Sequence, residues 1–89
     1  MAQVWIPALL RELAGGQQTV HADGGTVLQV IEDLEERYPG MQARLCVGDR
    51  LQPSLTVAVD GEVSPLGLRQ PVNPDSEIHF LPVISGGRL

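Results

Sequence analysis

Eighty-nine residues, 43% of them apolar, suffice for one domain with one core, and with three aromatics in all that core must be filled by Leu, Val and Ile. A net charge of −5, with six arginines and no lysine, makes the chain a poor binder of nucleic acid or an anionic membrane and suits it to a basic protein partner. One cysteine excludes a disulfide framework and a four-thiolate metal or iron–sulfur site, and the lack of a membrane-length apolar run or signal-peptide features leads to the expectation of a cytoplasmic protein.

From Gln3 to Leu9 the chain alternates, Val4 and Ile6 against Gln3 and Trp5, which predicts a half-buried strand. Pro7 implies an irregularity at its end, with Leu9, Leu10 and Leu13 as a bent extension. Ala14-Gly15-Gly16-Gln17 reads as a hairpin turn, and Gln18 to Ala22 as a short second strand. Asp23-Gly24-Gly25 ends that strand. Thr26 then opens a helix, with Gln29 spaced to complete a capping box. Val27, Val30, Ile31, Leu34 and Tyr38 form its apolar stripe, and Glu32, Asp33, Glu35 and Glu36 fall outside it. Asp33 and Arg37 are spaced to pair across one turn. Pro39-Gly40 stops the helix.

Met41 to Leu45 fits one more helical turn, and Gly48-Asp49 reads as loop. Leu55, Val57 and Val59 alternate with Thr56, Ala58 and Asp60, and Asp60-Gly61 is a strong tight-turn signal. Glu62 to Pro74 holds three prolines and is expected to be irregular, with at most a very short strand. Asn73 to Ser76 turns into a last strand, Glu77 to Leu81, with Ile78 and Phe80 facing one way and His79 and Leu81 the other. Pro82, which cannot donate a ladder hydrogen bond, is expected to stop it. Ser85, Gly86 and Gly87 follow, then Arg88 and Leu89. A Gly-Gly segment is thin enough to thread a narrow channel and expose an unhindered carbonyl, or it is simply a frayed end.

Hairpin, helix, then further strands make an α+β order. One amphipathic helix covers one face of one sheet, and the first and last strands then lie side by side in parallel. The expectation is a β-grasp (ubiquitin-like) domain over residues 1–84, a mixed sheet of four to five strands with one main helix on one face. Residues 85–89 are expected to be a flexible tail.

The chain resembles the ThiS/MoaD-type sulfur carriers. The resemblance is carried by Val4 to Arg11, Gly15-Gly16-Gln17, Thr26 to Leu34 with Tyr38-Pro39-Gly40, Thr56 to Gly61, Asp75 to Val83, and Ser85-Gly86-Gly87. The Ile6-Pro7 opening and the Gly15-Gly16-Gln17 hairpin are most similar to the branch feeding cysteine biosynthesis (the CysO type). Such carriers are not enzymes. The resemblance implies Gly87 as the acyl-adenylate and thiocarboxylate site and Ser85 and Gly86 as the slender lead-in. It implies three partners: an ATP-dependent ThiF/MoeB-like activating enzyme, a JAMM-type zinc peptidase cleaving between Gly87 and Arg88, and a PLP-dependent cysteine-synthase-like acceptor. ATP, zinc and PLP would belong to those partners, with no cofactor intrinsic to the carrier. The alternatives are the small subunit of molybdopterin synthase and a ubiquitin-like modifier. The sequence departs from the pattern in that Arg88 and Leu89 follow the glycines, so Gly87 carries a peptide bond until they are removed.

Other residues invite weaker readings. Cys46, near Arg44 and Arg50, is either a reactive thiol or, more in keeping with lone cysteines, a small buried hydrophobe. His21 and His79 lie on separate predicted strands and do not suggest a metal pair. The helix carboxylates are either a solvated face or a means of steering toward a basic partner. Trp5 and Leu81 are expected on the sheet face away from the helix, as a docking patch unless the Pro-rich stretch from Glu62 covers them.

Overall fold

The computed structural model describes residues 1–83; the expected domain boundary at 84 and the tail residues Ser85, Gly86, Gly87 and Arg88 lie outside the described residues. Strand β1 (Ala2–Trp5) leads into a 3-10 helix (Ala8–Ala14), then β2 (Thr19–Ala22), α1 (Val27–Arg37) and α2 (Met41–Leu45). Next come the short β3 (Cys46–Val47) and β4 (Arg50–Leu51), then β5 (Leu55–Val59) and β6 (Glu62–Val63), a 3-10 turn (Gly67–Arg69) and β7 (Glu77–Pro82). The sheet order is β2-β1-β7-β5-β6, with β3 and β4 forming a separate ribbon. β1 and β7 run parallel at its centre, and the other pairs are antiparallel. This is the β-grasp, ubiquitin-like architecture.

Alternation decides which face is buried. Register puts Val20, Val4, Ile78 and Val59 in one row across four strands, and Phe80 beside Val57 in the next. All six are buried, against Val27, Val30, Ile31 and Leu34 of α1, each fully inaccessible. Burying such a stripe contributes roughly 1.5–3 kcal/mol per large side chain before conformational entropy is counted. Thr26 caps α1 as the sequence predicts, its Oγ1 accepting from Gln29 N at 3.2 Å. The reciprocal bond is displaced by one residue: Gln29 Oε1 accepts from Gly25 N at 2.7 Å rather than from Thr26. Another orphan donor of the first turn, Val27 N, is met by Gln70 O at 3.0 Å, which ties the Pro-rich connection to the start of the helix. Asp33 and Arg37 pair at 3.1 Å on a partly exposed surface.

Several local expectations are corrected. Leu9, Leu10 and Leu13 do not extend β1. Pro7 keeps an extended backbone, with φ −56° and ψ 145°, and its carbonyl accepts from Leu10 N, opening the 3-10 helix. Leu10 and Ala14 of that helix are buried in the core, and Leu13 packs against it partly buried. Gly15 and Gly16 then turn with positive φ, as the sequence suggests. Tyr38 packs against the core as the stripe predicts, but as the half-buried C-cap just past the helix, with its hydroxyl 3.2 Å from Gln17 Nε2. The loop expected around Gly48 is the tip of the β3–β4 ribbon. Asp60 and Gly61, at φ 54° and 86°, make the two-residue turn between β5 and β6. The Asp60 carboxylate accepts from Ser76 Oγ and Glu77 N, both at 2.9 Å, and so fastens that turn to the start of β7.

Candidate functional site

The strand that carries the tail lies at the middle of the sheet. Pro82 does not stop β7: it pairs with Leu55, and Val83 N still donates to Ser54 O at 2.8 Å. Asp60 N donates to Glu77 O and Val83 N to Ser54 O, so odd-numbered residues of β7 bond toward β5. The missing N–H of Pro82 therefore faces the β1 side, where β1 has already ended at Trp5. The chain is held firmly up to the last residue before 84. Around this root the surface is apolar. Leu9 is 91% exposed and Val83 45%, and an open groove of about 390 Å³ lies between Leu9, Leu55, Phe80 and Pro82.

Trp5 and Leu81 occupy the face predicted for them. Register sets Thr19, Trp5, His79, Ala58 and Val63 in one row across all five strands, on the face opposite α1. Leu81 stands beside Thr56 in the next row, nearer the tail. What the sequence missed is that Trp5's immediate partner is His79. Their rings stack at 5.0 Å with 12° between planes, and Trp5 Nε1 is covered without a hydrogen-bond partner among the described residues. Leu81 is 37% exposed and Val63 61%. The Pro-rich connection lies on the other side, where its Leu68 and Val72 join the core beside α1. His79 is thus occupied by Trp5, while His21 is exposed opposite Gln3, one strand away.

Cys46 is buried and free. Burial pushes its thiol above the ordinary range, because desolvation penalises the thiolate. We expect it to react with a small thiol reagent at least about tenfold more slowly in the native protein than in denaturant; equal rates would contradict the burial. The sign of its pH effect follows. The unfolded chain releases this proton first, so stability should fall as pH rises above about 8.5, and Cys46→Ala should remove that part of the fall.

The helix carboxylates divide by function. Glu35 Oε1 accepts from Gln42 N at 2.8 Å and from Gly40 N at 3.2 Å, capping α2 from a distance. Asp33 holds Arg37 and accepts from Asp23 N. Glu32 and Glu36 remain exposed, with no such bond among the described residues. Any steering role rests on these two. No helix among the described residues is long and apolar enough to cross a membrane.

Comparison with known proteins agrees with this architecture. The sulfur carrier protein CysO of Mycobacterium tuberculosis (strain ATCC 25618 / H37Rv) is 34% identical over 89 aligned positions, covering 94% of this chain and 96% of that protein. The crystal structure of Mycobacterium tuberculosis CysO, an antigen, superposes with a TM-score of 0.86 at 31% identity, over 94% of this chain and all of that one. A chain of the Amycolatopsis orientalis BexX/CysO complex superposes with a TM-score of 0.89 at 36% identity, over 98% of this chain and all of that one. The pattern of the ThiS family matches residues 4–87, from the middle of β1 through the glycine pair. The chain belongs to the ThiS family.

Proposed function

We propose that this chain is a sulfur carrier protein, acted on by partner enzymes, whose Gly87 carries sulfur as a terminal thiocarboxylate, for cysteine biosynthesis. One observation carries the reading: the family match runs through Gly86 and Gly87 and ends there, and relatives matched over nearly their whole length are sulfur carriers. Arg88 follows Gly87 in the sequence, so the acyl carbon of Gly87 is first a peptide carbonyl. A zinc peptidase of the JAMM type removes Arg88-Leu89 and leaves a carboxylate. That carboxylate is a poor electrophile at neutral pH. An ATP-dependent ThiF/MoeB-like enzyme corrects this: a carboxylate oxygen attacks the α-phosphorus of ATP, pyrophosphate leaves, and the acyl-adenylate forms. Sulfide sulfur then attacks the acyl carbon and AMP departs, giving the thiocarboxylate. A PLP-dependent cysteine-synthase-like enzyme takes the sulfur.

The chain's own contribution is to present the acyl carbon. Glycines at 86 and 87 have no Cβ to obstruct a narrow active-site channel. The sheet face bearing Trp5 and Leu81 serves as the docking patch that aligns β7, and hence the tail, with that channel. The complex of the Amycolatopsis relative with BexX supports a carrier that works through protein partners.

The test compares the full chain with one ending at Gly87, each incubated with the cognate activating enzyme, ATP and sulfide. Intact mass should rise by the oxygen-to-sulfur difference in the trimmed chain only. No gain in the trimmed chain, or an equal gain in both, would overturn the reading.

A further inference from the structure

Among the described residues Arg44, Arg50 and Arg69 make no side-chain hydrogen bond or ion pair, and two of these three share one site. Arg11 Nε donates to Ile6 O, and Arg37 bonds Asp33 and His21 O. Arg50 and Arg69 make neither an ion pair nor a side-chain hydrogen bond among the described residues. They come from segments nineteen residues apart, the β3–β4 ribbon and the 3-10 turn at Gly67–Arg69. Both line one open cavity of about 440 Å³. Beside Gly67, its other lining residues include the apolar Leu51, Pro65, the buried Leu68 and the 45%-exposed Leu66, which give it one apolar side. Asp49 also lines the cavity and bonds neither arginine.

In a chain of net charge −5, bringing two cations to one concave site without a bonded carboxylate leaves ten guanidinium N–H donors to be met by water or by a ligand. Guanidinium groups match planar or tetrahedral oxyanions through paired hydrogen bonds, and the apolar wall suits a hydrocarbon attached to that anion. The volume lies within the range of small-ligand sites. We infer that the cavity between Arg50 and Arg69 binds an oxyanion, carboxylate or phosphate, borne on an apolar group. The inference does not depend on the reading of the tail, because the site is built from described residues alone.

The ligand's source is either a free small molecule or an acidic–apolar segment of a partner protein. The test uses the full chain, labelled with nitrogen-15, titrated separately with inorganic phosphate, phenyl phosphate and an acetylated, amidated Leu-Glu-Leu peptide. Saturable shifts should be confined to the backbone and guanidinium signals of Arg50 and residues 66–69. Phenyl phosphate should bind more tightly than inorganic phosphate, since only the former uses the apolar wall. A peptide tighter than phenyl phosphate assigns the site to a partner segment, and the reverse order to a small molecule. Substituting both exposed arginines, Arg50→Gln with Arg69→Gln, should weaken binding on the order of tenfold or more and leave the rest of the spectrum in place. The inference fails if none of the three probes gives a saturable local shift at tens of millimolar, if inorganic phosphate binds as well as phenyl phosphate, or if the double variant binds unchanged.

Discussion

Gly24→Ala should be close to unfolded under conditions in which the parent protein is fully native. A Cβ built at Gly24 would lie 2.6 Å from Val30 N and 2.9 Å from the carbonyl carbon of Gln29. Both are backbone atoms of α1, so no rotamer change relieves the contact. Either the helix moves off the sheet or the loop after β2 moves off the helix, and the loop cannot move alone. Asp23 N is bonded to Asp33 Oδ2, Gly25 N to Gln29 Oε1, and Val72 N to Gly25 O. Gly24 also has φ +157°, a conformation side chains rarely adopt. Overpacking and backbone strain together should cost about 3 kcal/mol or more. A domain of this size holds only about 4–13 kcal/mol in all. We expect Tm to fall by roughly 12–24 °C or more, with a matching loss in urea midpoint. Gly61→Ala is the control, at φ +86° with open space around its Cβ. It should lose only the backbone part, about 1 kcal/mol. If Gly24→Ala melts within a few degrees of Gly61→Ala, close approach of the helix is not what requires glycine at 24.

The need for Gly24 could not be read from the sequence, and the reason is general to the rest of the molecule. Asp23-Gly24-Gly25 reads locally as a strand end, which it is. That α1 crosses directly over it is a tertiary fact. What periodicity, turn residues and element order encode was legible: the stripe Val27, Val30, Ile31, Leu34, the alternation of β5 and β7, the Asp60-Gly61 turn, and the parallel pairing of the first and last strands. At each misreading the surrounding structure, rather than the residue type, decides the outcome. Pro82 is tolerated in β7 because its neighbour β1 stops short, not because β7 ends. Glu35 reads as a solvated carboxylate but meets amides at Gly40 and Gln42. Leu9 reads as part of a strand, yet the 3-10 helix started by Pro7 turns it outward. Of the site, the face of Trp5 and Leu81 followed from strand parity. The Trp5–His79 stack required the parallel register, and the Arg50–Arg69 cavity joins two stretches with no pattern linking them.

If the face opposite α1 is where the activating enzyme docks, substitutions there should reduce activation by a large factor while sparing the fold. Leu81→Asp places a charge on a 37%-exposed side chain, one row nearer the tail than Trp5, and removes no core contact. Trp5→Ala deletes the large ring and unstacks His79. Aromatic anchors at interfaces typically contribute about 2 kcal/mol or more, so kcat/KM for adenylation of the trimmed chain should fall by roughly thirtyfold in Trp5→Ala. The loss should sit in KM, because both residues belong to the folded body and would serve docking rather than the chemical step. From Leu81 to Gly87 six residues span at most about 20 Å, so a partner gripping this face limits where the acyl carbon can be. His79→Ala separates packing from contact: it removes Trp5's stacking partner but keeps the indole. It should lower kcat/KM less than Trp5→Ala if the indole itself is the anchor. Glu32→Gln with Glu36→Gln should instead flatten the salt dependence of the association rate and leave kcat unchanged, since exposed charges steer encounter without adding fixed contacts. Unchanged kcat/KM in both Trp5→Ala and Leu81→Asp would move the docking site elsewhere, and the apolar groove around Leu9 at the root of the tail would be the next surface to substitute.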